Sequence, residues 1–79
     1  MPKLRRISGK DVMNLLLQEG FILLRQKGSH VRLLLQNGSV IHRVTIPLHT
    51  ELDRGTLRSI VRSLERCMSE EKIAEIFYS

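Results

Sequence analysis

The sequence predicts an α+β fold in the order α-β-β-β-α, with a three-stranded antiparallel sheet and a short helical tail. Three observations predict it. A helix-start signal at Ser8 leads into apolar residues at helical spacing that stop at Gly20. Three short runs rich in strand formers follow, with the turn sequence "QNGS" between the last two and a glycine at Gly28 between the first two. From Leu57 to Met68 the apolar residues return to helical spacing.

Ser8 and Asp11 have the spacing of a capping box, with Asp in place of the usual Glu or Gln, and Ile7 and Val12 fall at the positions of a hydrophobic staple. Val12, Leu15, Leu16 and Glu19 then share one helical face, and Gly20 supplies a left-handed stop. "FILLRQ" and "HVRLLL" read as buried-looking strands, and "VIHRVTI" as a third, closed by Pro47. Parity in the last two strands puts Val31, Leu33, Leu35, Val40, Val44 and Ile46 on a core face, with His42 packed among them. His30, Arg32, Arg43 and Thr45 fall on the other face. After the loop "PLHTELDRG", Thr56 is positioned to cap a helix whose Leu57, Ile60, Val61, Leu64 and Met68 form an apolar stripe. Ser69, followed by Glu70 and Glu71, starts a short last helix with its acids placed favourably against the dipole.

Seventy-nine residues make one domain, 1-79, and a domain of this size buries only about 60% of its unfolded surface. The net charge is +5, and it is unevenly distributed: residues 1 to 66 carry +7 and the remainder −2. A cationic surface of this kind suits a phosphate-rich or acidic partner, although solubility alone accounts for a bare excess equally well. Cys67 stands alone, so no disulfide or Cys-x-x-Cys knuckle is expected, and no His/Cys pair has metal-ligand spacing. No metal and no cofactor are expected. The N-terminus is charged and has no apolar stretch of a secretory signal, and no run approaches the roughly 20 apolar residues that span a bilayer. The reading is therefore a cytoplasmic protein with no membrane partner.

Two cationic arrangements stand out. Arg54, Arg58, Arg62 and Arg66 recur every fourth residue, and those within the helix form a ridge turned away from its apolar stripe. A solvated helix face explains that ridge without a ligand. The other arrangement surrounds "RQKGSHVRL": Arg25 and Lys27 precede Gly28, Ser29 and His30, and Arg32 and Arg43 share the histidine's side of the sheet. Gly28 permits a tight turn and close approach of a ligand backbone, and Ser29 can bond the turn or a phosphate oxygen. His30 would be open to solvent and ringed by cations. An imidazole both takes and gives a proton near neutral pH. RNA carries its own nucleophile, the 2′-hydroxyl, so one such group with cations at the phosphate suffices for cleavage without a metal. Aromatic residues are few, which argues against a base-stacking platform.

The segments "SGKDVMNLLLQEGFILLRQKGSHVRL", "VTIPLH" and "RGTLRSIVRSL", in that order, resemble the HicA-type mRNA interferase toxins of bacterial toxin-antitoxin pairs. The resemblance runs from about Ser8 to Leu64. Its most specific element is Gly28-Ser29-His30 followed by Pro47-x-His49 and Gly55-Thr56-Leu57-Arg58. It implies a double-stranded-RNA-binding-domain-like fold, which agrees with the element order read from the residues. It also implies His30 as the catalytic residue of a metal-independent endoribonuclease cleaving mRNA, and a cognate HicB-type antitoxin that binds over that region and blocks it. Arg25, Lys27, Gly28, Ser29, Arg32 and Arg43 are the substrate-binding candidates. His49 matches a recurrent position of the family; it follows Pro47 in a loop and is read as bracing that loop, a catalytic partner role being the alternative. Where many relatives end the second helix with glycine, this chain continues "SLERCMSEEKIAEIF". A non-catalytic RNA-binding module and a basic protein-interaction domain are the competing functions, and the second leaves the Gly-Ser-His triplet without a purpose.

Overall fold

The computed structural model describes residues 3–78. Six elements follow one another: α1 (Gly9–Gln18), β1 (Ile22–Lys27), β2 (His30–Asn37), β3 (Val40–Pro47), α2 (Arg54–Leu64) and α3 (Glu70–Phe77). The strands form one antiparallel sheet in the order β1-β2-β3. Both α1 and α2 pack against β3, and α3 packs against α2. The helices thus cover one face of the sheet, and the other face carries none.

Local chemistry sets the element boundaries. The Ser8 hydroxyl accepts from the Asp11 N–H at 3.0 Å, capping α1, while Ile7 and Val12 are both buried as a staple requires. Gly20 stops the helix at φ 102°. Ser69 caps α3 through the Lys72 N–H at 3.1 Å. At α2 the sequence-based expectation is corrected: the cap is Asp53, whose carboxylate accepts from the Thr56 N–H at 2.7 Å, so Thr56 is a donor inside the first turn. The helix accordingly starts at Arg54.

Val31, Leu33, Val44 and Ile46 of the sheet meet Val12 and Leu16 of α1 and Leu57, Ile60, Val61 and Leu64 of α2 in one core. Each such buried side chain contributes about 1.5–3 kcal/mol relative to exposure. His42 pairs with Leu35 on this face and is half-buried, as parity predicts. Val40, of the same parity at the hairpin end of β3, is exposed instead. The last helix completes the core. Ile73, Ile76 and Phe77 are buried, and Phe77 is among the largest side chains with no exposure. The chain beyond it is held by the Arg5 N–H donating to the Phe77 carbonyl at 2.8 Å and by a bridge between Leu4 and Tyr78.

The first strand departs from the buried-looking expectation. Every residue of β1 is exposed: both α1 and α2 pack against β3 at the opposite edge, and the register of β1 slips between Leu23 and Arg25. Leu24 is the extra residue of a β-bulge. Leu23 still faces Leu33, on the core side, but beyond the bulge Gln26 takes the place opposite Val31. Arg25 and Lys27, which uninterrupted alternation from Leu23 would direct to the core side, are turned to the bare face instead.

Candidate active site

The bare face is ordered in rows across the sheet. Lys27, His30 and Pro47 form one row, Arg25, Arg32 and Thr45 the next, and Ile22, Leu34 and Arg43 a third. Residues directly opposite in an antiparallel pair lie about 4.5–5.5 Å apart at Cβ, so the first two rows gather three cations around one imidazole. Arg25, Lys27, His30, Arg32 and Thr45, with Val31, line a depression of about 480 Å³. His30 is exposed within it.

Gly28 and Ser29 form the two-residue turn of the β1-β2 hairpin, with Gly28 at φ 59° and Ser29 at negative φ. A glycine at the first central position is the requirement of a II′ turn, whose twist matches that of the strands it joins. The side-chain amide of Gln26 donates to the Gly28 carbonyl at 3.2 Å and steadies the turn. A side chain at Gly28 would meet nothing within 4 Å, so space above the turn is open to a ligand. The second hairpin repeats the device: Gly38 is at φ 64°, Ser39 follows it, and Gln36 donates to the Gly38 carbonyl at 3.3 Å. Turn chemistry therefore accounts for Gly28 and Ser29. It does not account for His30, whose counterpart in the second hairpin is Val40.

Arg43 is the one cationic substrate-binding candidate that the depression does not include. It shares the face of His30 but lies two rows away, beside Leu34, and lines a separate cleft of about 660 Å³ between β3 and α2 with Thr45, Asp53, Thr56, Ser59 and Ser63. Strand parity alone could not measure that separation. Beyond the cationic rows the bare face turns apolar, with Ile22 57% and Ile41 46% exposed.

Sequence reasoning placed His49 in a bracing loop; the structure brings its ring to the ring of His30. The two centroids are 6.4 Å apart with planes inclined at 75°. The backbone produces this approach in three steps. Pro47, opposite His30, ends the strand; the Leu48 N–H then donates to the Ser29 carbonyl at 2.6 Å, tying the loop to the Gly-Ser turn. The Gly9 N–H donates to the His49 carbonyl at 2.9 Å, so the start of α1 clamps the same loop. Only glycine fits at position 9, because a Cβ there would collide with the Pro47 carbonyl. On the far side of the loop, the Asp53 carboxyl is held below its ordinary range, first by the Thr56 N–H and hydroxyl, and further by the Gly55 N–H and the charge of His49.

The arginine ridge occupies another region. Arg54, Arg58 and Arg62 are exposed on α2, and Arg54 and Arg58 join Lys3 on a surface away from the His30 depression. Among the described residues no group of three His, Cys, Asp or Glu side chains is arranged to hold a metal ion, and no helix is long and apolar enough to cross a membrane.

In comparisons with known proteins, residues 9–65 match the family described as the HicA toxin of bacterial toxin-antitoxin. No curated protein and no solved structure matches. The matched stretch takes in α1, the whole sheet and α2, and with them Gly28, Ser29, His30 and His49; α3 lies outside it. A family match over most of the chain agrees with the α-β-β-β-α order and implies an antitoxin as partner. This chain belongs to the HicA toxin family, the toxins of bacterial toxin-antitoxin systems.

Proposed function

We propose that the chain is an endoribonuclease that cleaves messenger RNA without a metal, using His30 for proton transfer, and that a HicB-type antitoxin silences it by covering the bare sheet face. The observation that carries this reading is the convergence of Arg25, Lys27 and Arg32 on the exposed His30. His30 removes the proton of a 2′-hydroxyl, which attacks the adjacent phosphorus; the bond to the 5′-oxygen breaks, leaving a 2′,3′-cyclic phosphate and a 5′-hydroxyl end. Cations close to the phosphate stabilise the charge that develops in the transition state. Gly28 and Ser29 serve by shape, letting the RNA backbone approach the turn. Arg43 grips a phosphate farther along the strand. The whole chain acts as one domain, in the cytoplasm where its substrate is.

The exposed Ile22 and Ile41, with the half-buried Leu34 between them, support the antitoxin part. Apolar side chains next to a cationic site give a protein partner surface to bury that RNA cannot use as well. Purified protein incubated with a defined RNA in EDTA tests the enzymatic part. Cleavage with cyclic-phosphate ends, abolished by a 2′-deoxy sugar at the scissile position, is the expected result. RNA retention without cleavage would identify a binding module of the same fold, and cutting of the deoxy substrate would refute 2′-hydroxyl attack.

A further inference from the structure

The reaction proposed above removes a proton from one oxygen and must deliver one to another. The 5′-oxygen leaves as an alkoxide unless it is protonated, and His30 has by then accepted the proton of the 2′-hydroxyl. We propose that His49 is a second catalytic residue, the general acid that donates a proton to the departing 5′-oxygen, with His30 as the base. This rests on the ribonuclease reading.

The juxtaposition of the two rings carries the assignment. At 6.4 Å and 75°, the imidazoles stand edge to face, too far apart to stack flat and close enough for both to reach one phosphodiester laid beside them. Aromatic edge packing gives a similar distance, but both histidines are exposed, so the pair is open to a ligand. Among the described residues neither ring hydrogen-bonds to a side chain. The backbone, by contrast, is committed to holding them together: Gly9, Ser29 and Leu48 fix the loop that carries His49, and Gly9 leaves no space for another residue.

The surroundings order the two roles. His30 is the ring among Arg25, Lys27 and Arg32, and His49 stands outside that cluster, in the loop that leads to the Asp53 cap. A base is best placed near cations that also hold the scissile phosphate, and a proton donor near an anion. The proton balance closes within the pair. The 2′-hydroxyl proton passes to His30, the His49 imidazolium proton passes to the 5′-oxygen, and exchange with water restores both rings after the products leave.

An RNA whose bridging 5′-oxygen at the mapped scissile position is replaced by sulfur separates the two roles, because a thiolate leaves without needing a proton. His49→Ala is expected to cleave ordinary RNA about 100-fold to 10,000-fold more slowly than wild type and the sulfur-bridged RNA within about tenfold of it. His30→Ala is expected to be slow on both. His49→Gln, which keeps a polar side chain in the loop, should behave as His49→Ala does, with both variants unfolding cooperatively at the wild-type temperature. Wild-type rates of His49→Ala on ordinary RNA would overturn the proposal, as would equal losses on both substrates. If wild type cleaves neither RNA, the ribonuclease reading falls and this inference with it. If His30→Ala cleaves normally while sulfur rescues His49→Ala, the base has been misassigned and the acid stands.

Discussion

Two turns built from the same dipeptide, Gly28-Ser29 and Gly38-Ser39, place different residues after them, and that difference isolates what His30 contributes. Alanine at either glycine forces a left-handed φ on a residue with a Cβ, which costs about 1–2 kcal/mol. Gly28→Ala and Gly38→Ala should therefore lose similar stability in chemical denaturation, while only Gly28→Ala lowers RNA cleavage. Asp53 offers a second comparison. Its folded pKa lies below the ordinary 3.8, so its contribution to stability is complete above that value and is lost as pH falls through the folded pKa. Asp53→Asn keeps an N-cap acceptor without the charge; its melting temperature should fall less steeply than that of wild type as pH falls below about 4, where this carboxylate titrates. The cap of α2 was only partly legible in the sequence. Asp53 and Thr56 are three apart, and either could cap a helix beginning nearby. The carboxylate won by accepting the Thr56 N–H, an outcome that the motif alone does not decide.

At the scale of elements, the bulge at Leu24 aims the site. Regular alternation from Leu23 would send Arg25 and Lys27 to the core side; one inserted residue sends them to the bare face with His30. Nothing in "FILLRQK" announces a bulge, since no glycine marks it and Leu24 is as good a strand former as its neighbours. The hairpins were legible for the opposite reason, because a glycine between two strand-forming runs marks a tight turn. On the proposed reading, charge on β1 and β2 serves catalysis and charge on α2 does not. Arg25→Gln with Arg32→Gln should slow cleavage at saturating RNA and reduce the slope of log K against log salt by about 0.7 for each phosphate that is no longer neutralised. Arg58→Gln with Arg62→Gln should leave the rate at saturation near wild type. Loss of catalysis in the α2 pair with retention in the sheet pair would place the active surface on the wrong face.

Across the whole molecule, a thin core depends on its last helix. The family match ends at residue 65, yet Ile73, Ile76 and Phe77 of α3 are as buried as the sheet residues. The exposed Lys72 pairs with Glu19 at 3.6 Å and Glu75 at 3.3 Å add little, as surface ion pairs do, so the apolar face holds α3 in place. Phe77→Ala should destabilise the protein by about 3–5 kcal/mol, a large part of the roughly 5–15 kcal/mol typical of a domain, and denaturant titration measures it directly. The helical start of this tail was legible from Ser69, Glu70 and Glu71; its burial was not, because a short amphipathic helix suits a surface tail as well as a core helix. The same thinness leaves one sheet face uncovered, and the proposed function depends on what that face presents. Single-turnover cleavage of a defined RNA in EDTA by wild type and His30→Ala, with RNA affinity and unfolding measured on the same samples, tests this most directly. Proton transfer by His30 predicts a rate loss of about 100-fold to 10,000-fold with affinity and stability little changed. Cleavage by His30→Ala at close to the wild-type rate would contradict it.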